Sequence, residues 1–203
     1  MPEPTDIAAI VLAAGASRRF GSDKLLHPLT LHGVTLPLAA HSLLPWLEAF
    51  AQVSVVVRPD AETFCSAIET ALGKRKSAGI RWIVCADAAQ GIASSLVCGV
   101  HANLNAMGWL IGLADMPVVP MAAIVGVRDA LSAGAALAAP NFKGKRGHPV
   151  GVASHYRDEL LALKGDTGAR YIVVRDISKL AEVIIDDPGI FADIDNPVDL
   201  KYL

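Results

Sequence analysis

The chain of 203 residues is 53% hydrophobic, and its 18 lysines and arginines nearly balance its 20 aspartates and glutamates. This length and apolar content suffice for one sizeable core, so we expect a single domain over residues 1–203. Because the charges balance and no basic face with interleaved aromatic residues occurs, a nucleic-acid partner is not expected.

The sequence predicts a soluble, cytoplasmic protein without a membrane segment. Its amino terminus is acidic and contains prolines, unlike the basic start of a secretory signal. The longest apolar tract, residues 109–127, contains Asp115, Pro117 and Pro120, a combination that a membrane-spanning helix tolerates poorly. The cysteines lack C-x-x-C spacing, which favours buried thiols in a reducing compartment.

Through residue 139, apolar runs without charge alternate with segments of helical periodicity. The apolar runs predict buried strands at residues 7–13, 53–57, 80–84, 109–114 and 136–139. The periodic segments predict helices at residues 37–50, 60–72, 94–107 and 119–132. Asp60 is a candidate N-cap, Gly73 fits a helix stop, and residues 25–36 are predicted to be irregular. Because parallel strands need a crossover, this alternation predicts an α/β fold with a doubly wound, mostly parallel sheet.

The later chain is less regular. A flexible basic segment at residues 140–149 leads into a short apolar run at 150–153. After it the sequence predicts a helix ending at residue 165, a strand at 181–185, a turn at 193–197 and a final helix at 198–203.

Three polar or glycine-containing features lie beyond the carboxyl ends of predicted strands. They are the loop at Gly15, the turn at residues 91–95 and the side chain of Asp115. Ligands of doubly wound sheets bind outside the carboxyl ends of the strands. We therefore expect these three segments to line one cleft.

The loop after the first strand combines small residues with cations. Small residues let backbone N–H groups approach a ligand closely, and Arg18, Arg19 and Lys24 add the positive charge that phosphates favour. The spacing of Gly15 and Gly21 fits neither the dinucleotide pattern G-x-G-x-x-G nor the P-loop. The loop is therefore a candidate phosphate site of a different type.

Residues 12–24, LAAGASRRFGSDK, resemble the L-A-A-G-x-S-x-R-M-G-x-x-K signature of nucleotidyltransferases related to the molybdenum cofactor cytidylyl- and guanylyltransferases. Phe20 stands where the family usually has Met. Further segments resemble later motifs of the family in the same order: GIASSL at 91–96, LADMP at 113–117, GHP at 147–149, GDTGAR at 165–170 and DIDNP at 193–197. The resemblance implies the nucleotide-diphospho-sugar transferase fold, which is Rossmann-like.

The resemblance also implies a reaction, in which an acceptor phosphate attacks the α-phosphate of a nucleoside triphosphate and pyrophosphate leaves. It implies catalytic roles for Arg19, Lys24 and Asp115. The implied nucleotide contacts are Ala13, Ala14, Gly15, Ala16, Ser17, Arg19, Lys24, Gly91, Ser94 and Ser95. The implied acceptor contacts are His148, Asp166, Arg170 and Asp193.

The implied cofactor is Mg²⁺, a hard cation that takes oxygen ligands and bridges phosphates. Asp115 is one expected ligand. Asp193 and Asp195 compete for the second position, and likeness to the wider fold favours Asp195, although Asp195 also fits an N-cap. Asp193 would then contact the acceptor.

The base and the acceptor are separate questions. Relatives with L-A-A-G resemble cytidylyltransferases, whereas L-A-G-G accompanies guanine, so Ala14 favours CTP over GTP. Ser95 is a candidate contact of the cytosine, or a serine of the helix terminus. The leading hypothesis for the acceptor is a molybdopterin-type cofactor. The alternatives are transfer to a sugar phosphate or other phosphorylated metabolite, and a carrier that delivers the finished cofactor to a molybdoenzyme client without catalysing transfer.

Overall fold

The computed structural model describes residues 5–15, 20 and 23–202 of the chain. Its strands are β1 Thr5–Leu12, β2 Pro28–Leu31, β3 Val34–Pro37, β4 Val53–Val57, β5 Ile80–Val84, β6 Ala106–Leu113, β7 Leu137–Phe142, β8 Lys145–Arg146, β9 Val150–Ala153 and β10 Leu180–Ile184. Its α-helices are α1 Leu38–Ala49, α2 Glu62–Ser77, α3 Ile92–His101, α4 Met121–Ser132, α5 Arg157–Leu161 and α6 Arg170–Arg175. Short 3₁₀ turns lie at Lys24–Leu26, Ala88–Gln90, Ser154–Tyr156, Ile177–Lys179, Pro188–Phe191 and Asp199–Tyr202.

The central sheet is mostly parallel, as predicted. Its order is β10-β7-β9-β6-β1-β4-β5, with β8 paired to β7. β1 lies between β6 and β4, parallel to both, whereas β9 runs antiparallel to β6 and β7. The carboxyl ends of β1, β4, β5 and β6 therefore meet at one edge of the sheet, together with the start of β9.

Hydrophobic side chains of β1 are buried on both faces of the sheet. Val11 belongs to one apolar cluster with residues of α1, α2 and α4. Its neighbours Ile10 and Leu12 belong to a second cluster, with residues of α3, α5 and α6. Because successive side chains of a strand point to opposite faces, the uninterrupted apolar run of β1 supplies both cores at once.

Two hairpins lie in segments that the sequence predicts to be irregular or flexible. β2 and β3 are joined by His32 and Gly33, which both have positive φ, at 51° and 78°. β7 and β8 are joined by Lys143 and Gly144, with φ of 50° and 80°. Two successive residues with positive φ are typical of the type I′ turn, whose twist suits a two-residue hairpin.

Two predicted helix boundaries were wrong. Ala61, and not Asp60, is the N-cap of α2, and it makes no side-chain capping bond. Gly73 interrupts the helix where the sequence predicts its stop: its φ of 74° and ψ of 158° are not helical, and a second helical stretch follows it to Ser77. α3 ends at His101, so the remainder of the periodic pattern belongs to a turn and to β6.

Tyr156 anchors the carboxyl end of α6. Its buried hydroxyl donates a hydrogen bond of 2.7 Å to Asp176 Oδ2. Burial raises the pKa of Tyr156, and the negative charge of Asp176 raises it further, so the hydroxyl keeps its proton at neutral pH. The phenol thus remains a donor to the residue that ends the helix.

We expect Tyr156→Phe to lower the free energy of unfolding by about 1 kcal/mol, because the ring still packs but a donor to a carboxylate is lost. Urea denaturation measures this difference. Tyr171→Phe is the matched control, since Tyr171 is 58% exposed. Equal stability of the two variants would contradict the anchoring role of the Tyr156 hydroxyl.

No helix in the described part of the chain is both long enough and apolar enough to cross a membrane.

Candidate functional site

A cleft of about 700 Å³ opens at the carboxyl ends of the parallel strands. Its walls come from the segments that follow β1, β4, β5 and β6, and they include Gly15, Gly91, Ser95 and Asp115. The prediction that the three segments share one cleft is therefore confirmed. Ala13, Ala14 and Lys24 also line it.

The side chain of Lys24 makes three hydrogen bonds at this cleft. Its ammonium donates to Asp115 Oδ2 at 2.7 Å, to the carbonyl oxygen of Ile194 at 2.7 Å and to Asp195 Oδ1 at 3.3 Å. The side chain is only 9% exposed. Burial alone would lower the pKa of Lys24, but the carboxylates of Asp115 and Asp195 outweigh it and the pKa is raised. Lys24 is therefore an ammonium at neutral pH.

Short local contacts hold these three residues in place. Asp23 accepts a bond of 3.2 Å from the amide of Leu25, which caps the 3₁₀ turn that begins with Lys24. The amide of Ile194 donates to the carbonyl of Asp115 at 3.0 Å. Asp199 Oδ2 accepts bonds from the amides of Asp195, at 2.8 Å, and of the next residue, at 2.7 Å. The end of β6 and the carboxyl-terminal segment are thus fixed against each other.

The carboxylates suit a divalent cation bound together with a ligand. Asp115 Oδ1 is buried and has no hydrogen-bond partner among the described residues. An ionised carboxyl oxygen in that state is a good ligand for a hard cation. No cluster of three or more His, Cys, Asp or Glu side chains within residues 5–15, 20 and 23–202 has the geometry of a metal cage. A cation at Asp115 and Asp195 would therefore take its other oxygens from phosphates or water, as Mg²⁺ commonly does.

The amino terminus of α3 is held against a loop of the later chain. Gly91 precedes the helix with φ of 119°. The amide of Ala93 donates to the carbonyl of Gly165 at 3.0 Å. A Cβ atom added at Gly91 would collide with the Gly165 carbonyl and lie 2.7 Å from Asp166 Oδ1. Only a glycine allows the two loops to approach so closely.

The two serines of α3 differ in position. Both lie in the first turn, as predicted. Ser95 is buried and lines the cleft. Ser94 is half-buried and is not among the residues that line the cleft; its carbonyl accepts a weak bond from Cys85 Sγ at 3.4 Å. The geometry thus brings Ser95, and not Ser94, to the first cavity.

A second cavity of about 680 Å³ adjoins the first. The two share the walls formed by Leu12, Ile92, Leu113 and Asp166. Its interior is largely apolar, and its polar lining consists of Lys145, Arg146, His148, Asp166, Arg170 and Asp193. The four residues that the resemblance assigns to the acceptor therefore lie together in this cavity.

His148 lines the second cavity and interacts electrostatically with Asp115 and Asp193. Its amide donates to the carbonyl of Ile190 at 2.9 Å, and its buried Nδ1 has no partner among the described residues. Burial lowers the pKa of His148 more than the charges of Asp115 and Asp193 raise it. The imidazole is therefore neutral at pH 7 and can accept or donate one hydrogen bond.

Sequence reasoning missed several lining residues, and three of its predicted contacts lie outside the described part of the chain. Ala16, Ser17 and Arg19 fall in the latter group. The missed residues of the first cavity include Arg58, Asp60 and Gln90. Arg58 and Asp60 follow β4 directly, so their position at the carboxyl end of a predicted strand could have found them. Lys145 and Arg146 of the second cavity were assigned only to a basic segment.

A charged lysine between two carboxylates, in a cleft that adjoins a second cavity, is suited to transfer between phosphates. This is the chemistry of the nucleotidyltransferases. Residues 9–180 match the protein-family model described as the MobA-like NTP transferase domain, and the chain belongs to that family.

Solved structures of this fold agree with the assignment. The manganese complex of Rv0371c from Mycobacterium tuberculosis has 25% identity and a TM-score of 0.74, with 98% of each chain covered. The Methanothermobacter nucleotidyl transferase Mth528 has 20% identity and a TM-score of 0.73, covering 98% of this chain and 95% of that one. Molybdopterin-guanine dinucleotide biosynthesis protein A from Archaeoglobus fulgidus has 18% identity and a TM-score of 0.57, covering 97% and 96%. The search of curated proteins returned no match.

Proposed function

We propose that the protein is a Mg²⁺-dependent cytidylyltransferase, which transfers CMP from CTP to the phosphate of a molybdopterin-type cofactor and releases pyrophosphate. The observation that carries this proposal is the position of Lys24, Asp115 and Asp195, which lie in contact beside two adjoining cavities. The first cavity would take the nucleotide and the second the acceptor. The proposed unit is the whole chain, residues 1–203, acting in the cytoplasm.

Asp115 and Asp195 would hold the metal. The unpartnered Oδ1 of Asp115 supports this role, and so does the manganese bound to a relative with the same fold. Asp195 shares the Lys24 ammonium with Asp115, whereas Asp193 lines the second cavity. These positions favour Asp195 as the second ligand and Asp193 as an acceptor contact. The bound metal would neutralise charge on the phosphates.

The side chains would act by position and charge. The amides of the loop at residues 14–17, with Arg19 and Lys24, would stabilise the charge that builds on the leaving pyrophosphate. No activated serine or cysteine is needed, because the attacking acceptor phosphate is already anionic. Arg170, Asp166 and the neutral His148 would orient the acceptor in the second cavity.

The choice of cytosine rests on Ala14. This residue is buried and lines the first cavity, so its methyl group narrows the space available for a base. A pyrimidine fits such a space better than a purine. Ser95, which lines the same cavity, would hydrogen-bond the base.

We expect CTP with Mg²⁺ to raise the melting temperature more than GTP, ATP or UTP at the same concentration. A ligand at a hundred times its dissociation constant stabilises by about 2.7 kcal/mol. Thermal-shift measurements with each triphosphate test this expectation. In the matched variant Ala14→Gly, the preference for CTP over GTP should shrink. A wild-type protein that GTP stabilises most would contradict cytosine selection.

The acceptor requires a separate experiment. Labelled CTP, Mg²⁺ and the molybdenum cofactor should yield pyrophosphate and a cytidine dinucleotide of the cofactor. Transfer to sugar phosphates or other phosphorylated metabolites instead would keep the enzyme class and change the acceptor. If no triphosphate releases pyrophosphate with any acceptor, the remaining hypothesis is a carrier that binds the cofactor for a molybdoenzyme client.

A further inference from the structure

All three N–H donors of the Lys24 ammonium are already engaged. They are used by Asp115 Oδ2, by the Ile194 carbonyl and by Asp195 Oδ1, at 2.7, 2.7 and 3.3 Å. A lysine ammonium has three N–H bonds and no acceptor. A phosphate oxygen can therefore bond to Lys24 only after one of these three contacts is released.

The same ammonium stands where a divalent cation would bind. Mg²⁺ needs carboxylate oxygens at about 2.0–2.1 Å, and two of the three contacts of Lys24 are to the carboxylates proposed as metal ligands. A cation between those carboxylates would lie against a charged ammonium in a largely buried position, where like charges repel strongly. Asp115 Oδ1 is left unpartnered, so the lysine and the metal compete through repulsion between their charges and not because the lysine occupies every carboxylate oxygen.

We infer that Lys24 prevents free divalent cations from binding to Asp115 and Asp195. The cation binds together with a triphosphate, whose oxygens replace these carboxylates as the hydrogen-bond acceptors of the ammonium. This inference rests on the proposed function of Asp115 and Asp195. It makes the ammonium the counter-ion of the two carboxylates until the metal and the triphosphate bind. The bond to the Ile194 carbonyl needs no carboxylate, so it can keep the amine near the cleft while the other two contacts are exchanged.

The net charge of the site predicts how removal of the amine changes the affinity for a divalent cation. One lysine and two carboxylates carry a net charge of −1, whereas the carboxylates alone carry −2. Lys24→Met keeps an unbranched side chain, shorter by one atom, and removes its charge. The variant should therefore bind a free divalent cation more tightly than the wild type, although it would be a poorer transferase.

The test measures binding of Mn²⁺ alone, without nucleotide, by electron paramagnetic resonance of the unbound ion. We expect Lys24→Met to bind Mn²⁺ at least about tenfold more tightly than the wild type. Lys24→Gln serves as a second neutral variant if the methionine variant does not fold. Equal or weaker binding by a folded neutral variant would overturn the inference.

Two further variants separate the possible causes. Arg58→Met removes a cation that lines the same cleft but pairs with Asp23 and Asp60, so it should leave Mn²⁺ binding unchanged. An equal gain there would overturn direct competition in favour of a general charge effect. Adding Asp115→Asn to Lys24→Met should abolish the gained affinity. If tight binding persists in that double variant, the proposed metal ligand itself is wrong, which is distinct from a failure of the competition.

Discussion

Replacing Asp115 with asparagine should reduce the rate of pyrophosphate release by about a hundredfold to a thousandfold, the loss that is typical when one group stabilising transition-state charge is removed. Asparagine has nearly the same size and keeps one oxygen, but it carries no charge to hold a cation. It also leaves the buried Lys24 with one carboxylate where it had two. The measurement is kcat with saturating nucleotide and acceptor.

Asp129→Asn is the matched control for this prediction. Asp129 lies on α4 and is bonded to its neighbour Arg128 on the surface, so its charge should not affect the rate. Urea denaturation of both variants checks whether Asp115→Asn loses activity merely by unfolding. A folded Asp115→Asn protein that keeps a tenth of the wild-type rate would remove Asp115 from the proposed chemistry.

Replacing Gly91 with alanine should destabilise the protein more than the same replacement at any described glycine that has a positive φ but open space around it. The new methyl would collide with the Gly165 carbonyl and approach Asp166 Oδ1. We expect a loss of about 2–4 kcal/mol, because the positive φ adds strain to the collision. The nucleotide KM should rise about tenfold or more, since the start of α3 must shift away from the cleft.

Gly134→Ala separates the collision from the backbone strain. Gly134 also has a positive φ, of 95°, but nothing lies within 4 Å of an added Cβ atom. This control should lose only about 1 kcal/mol and keep wild-type kinetics. Equal losses of stability in the two variants, with unchanged KM in both, would show that contact between the two loops does not matter.

The regular elements of the first half of the chain were predictable because their side chains obey simple periodicity. The predicted strands at residues 53–57 and 80–84 have the same bounds as β4 and β5. The hairpins were missed because His32 and Lys143 are not the asparagine or aspartate that usually marks a type I′ turn. In both turns only the following glycine gave a local signal.

From residue patterns alone the site was predictable only where a strand end identifies it, and the other site residues came from the resemblance to the family. Asp115 and Gly91 follow predicted strands, so the rule for carboxyl ends places them in the cleft. The contact of Lys24 with Asp195 joins residues 171 positions apart, and no periodicity of the sequence encodes such a contact. The competition between Lys24 and a metal could be inferred only after those distances were known.

The segment that follows β10 lies beyond the family match but contributes contacts to the candidate site. The family match ends at residue 180, before that strand is complete. Ile190 accepts the amide of His148, and Ile194 both accepts from Lys24 and donates to Asp115. A recombinant protein cut at the family boundary would keep the loop at Gly15 but lose the backbone that orients the lysine, the histidine and the aspartate. We therefore expect the smallest active unit to extend through Asp195 and its partner Asp199.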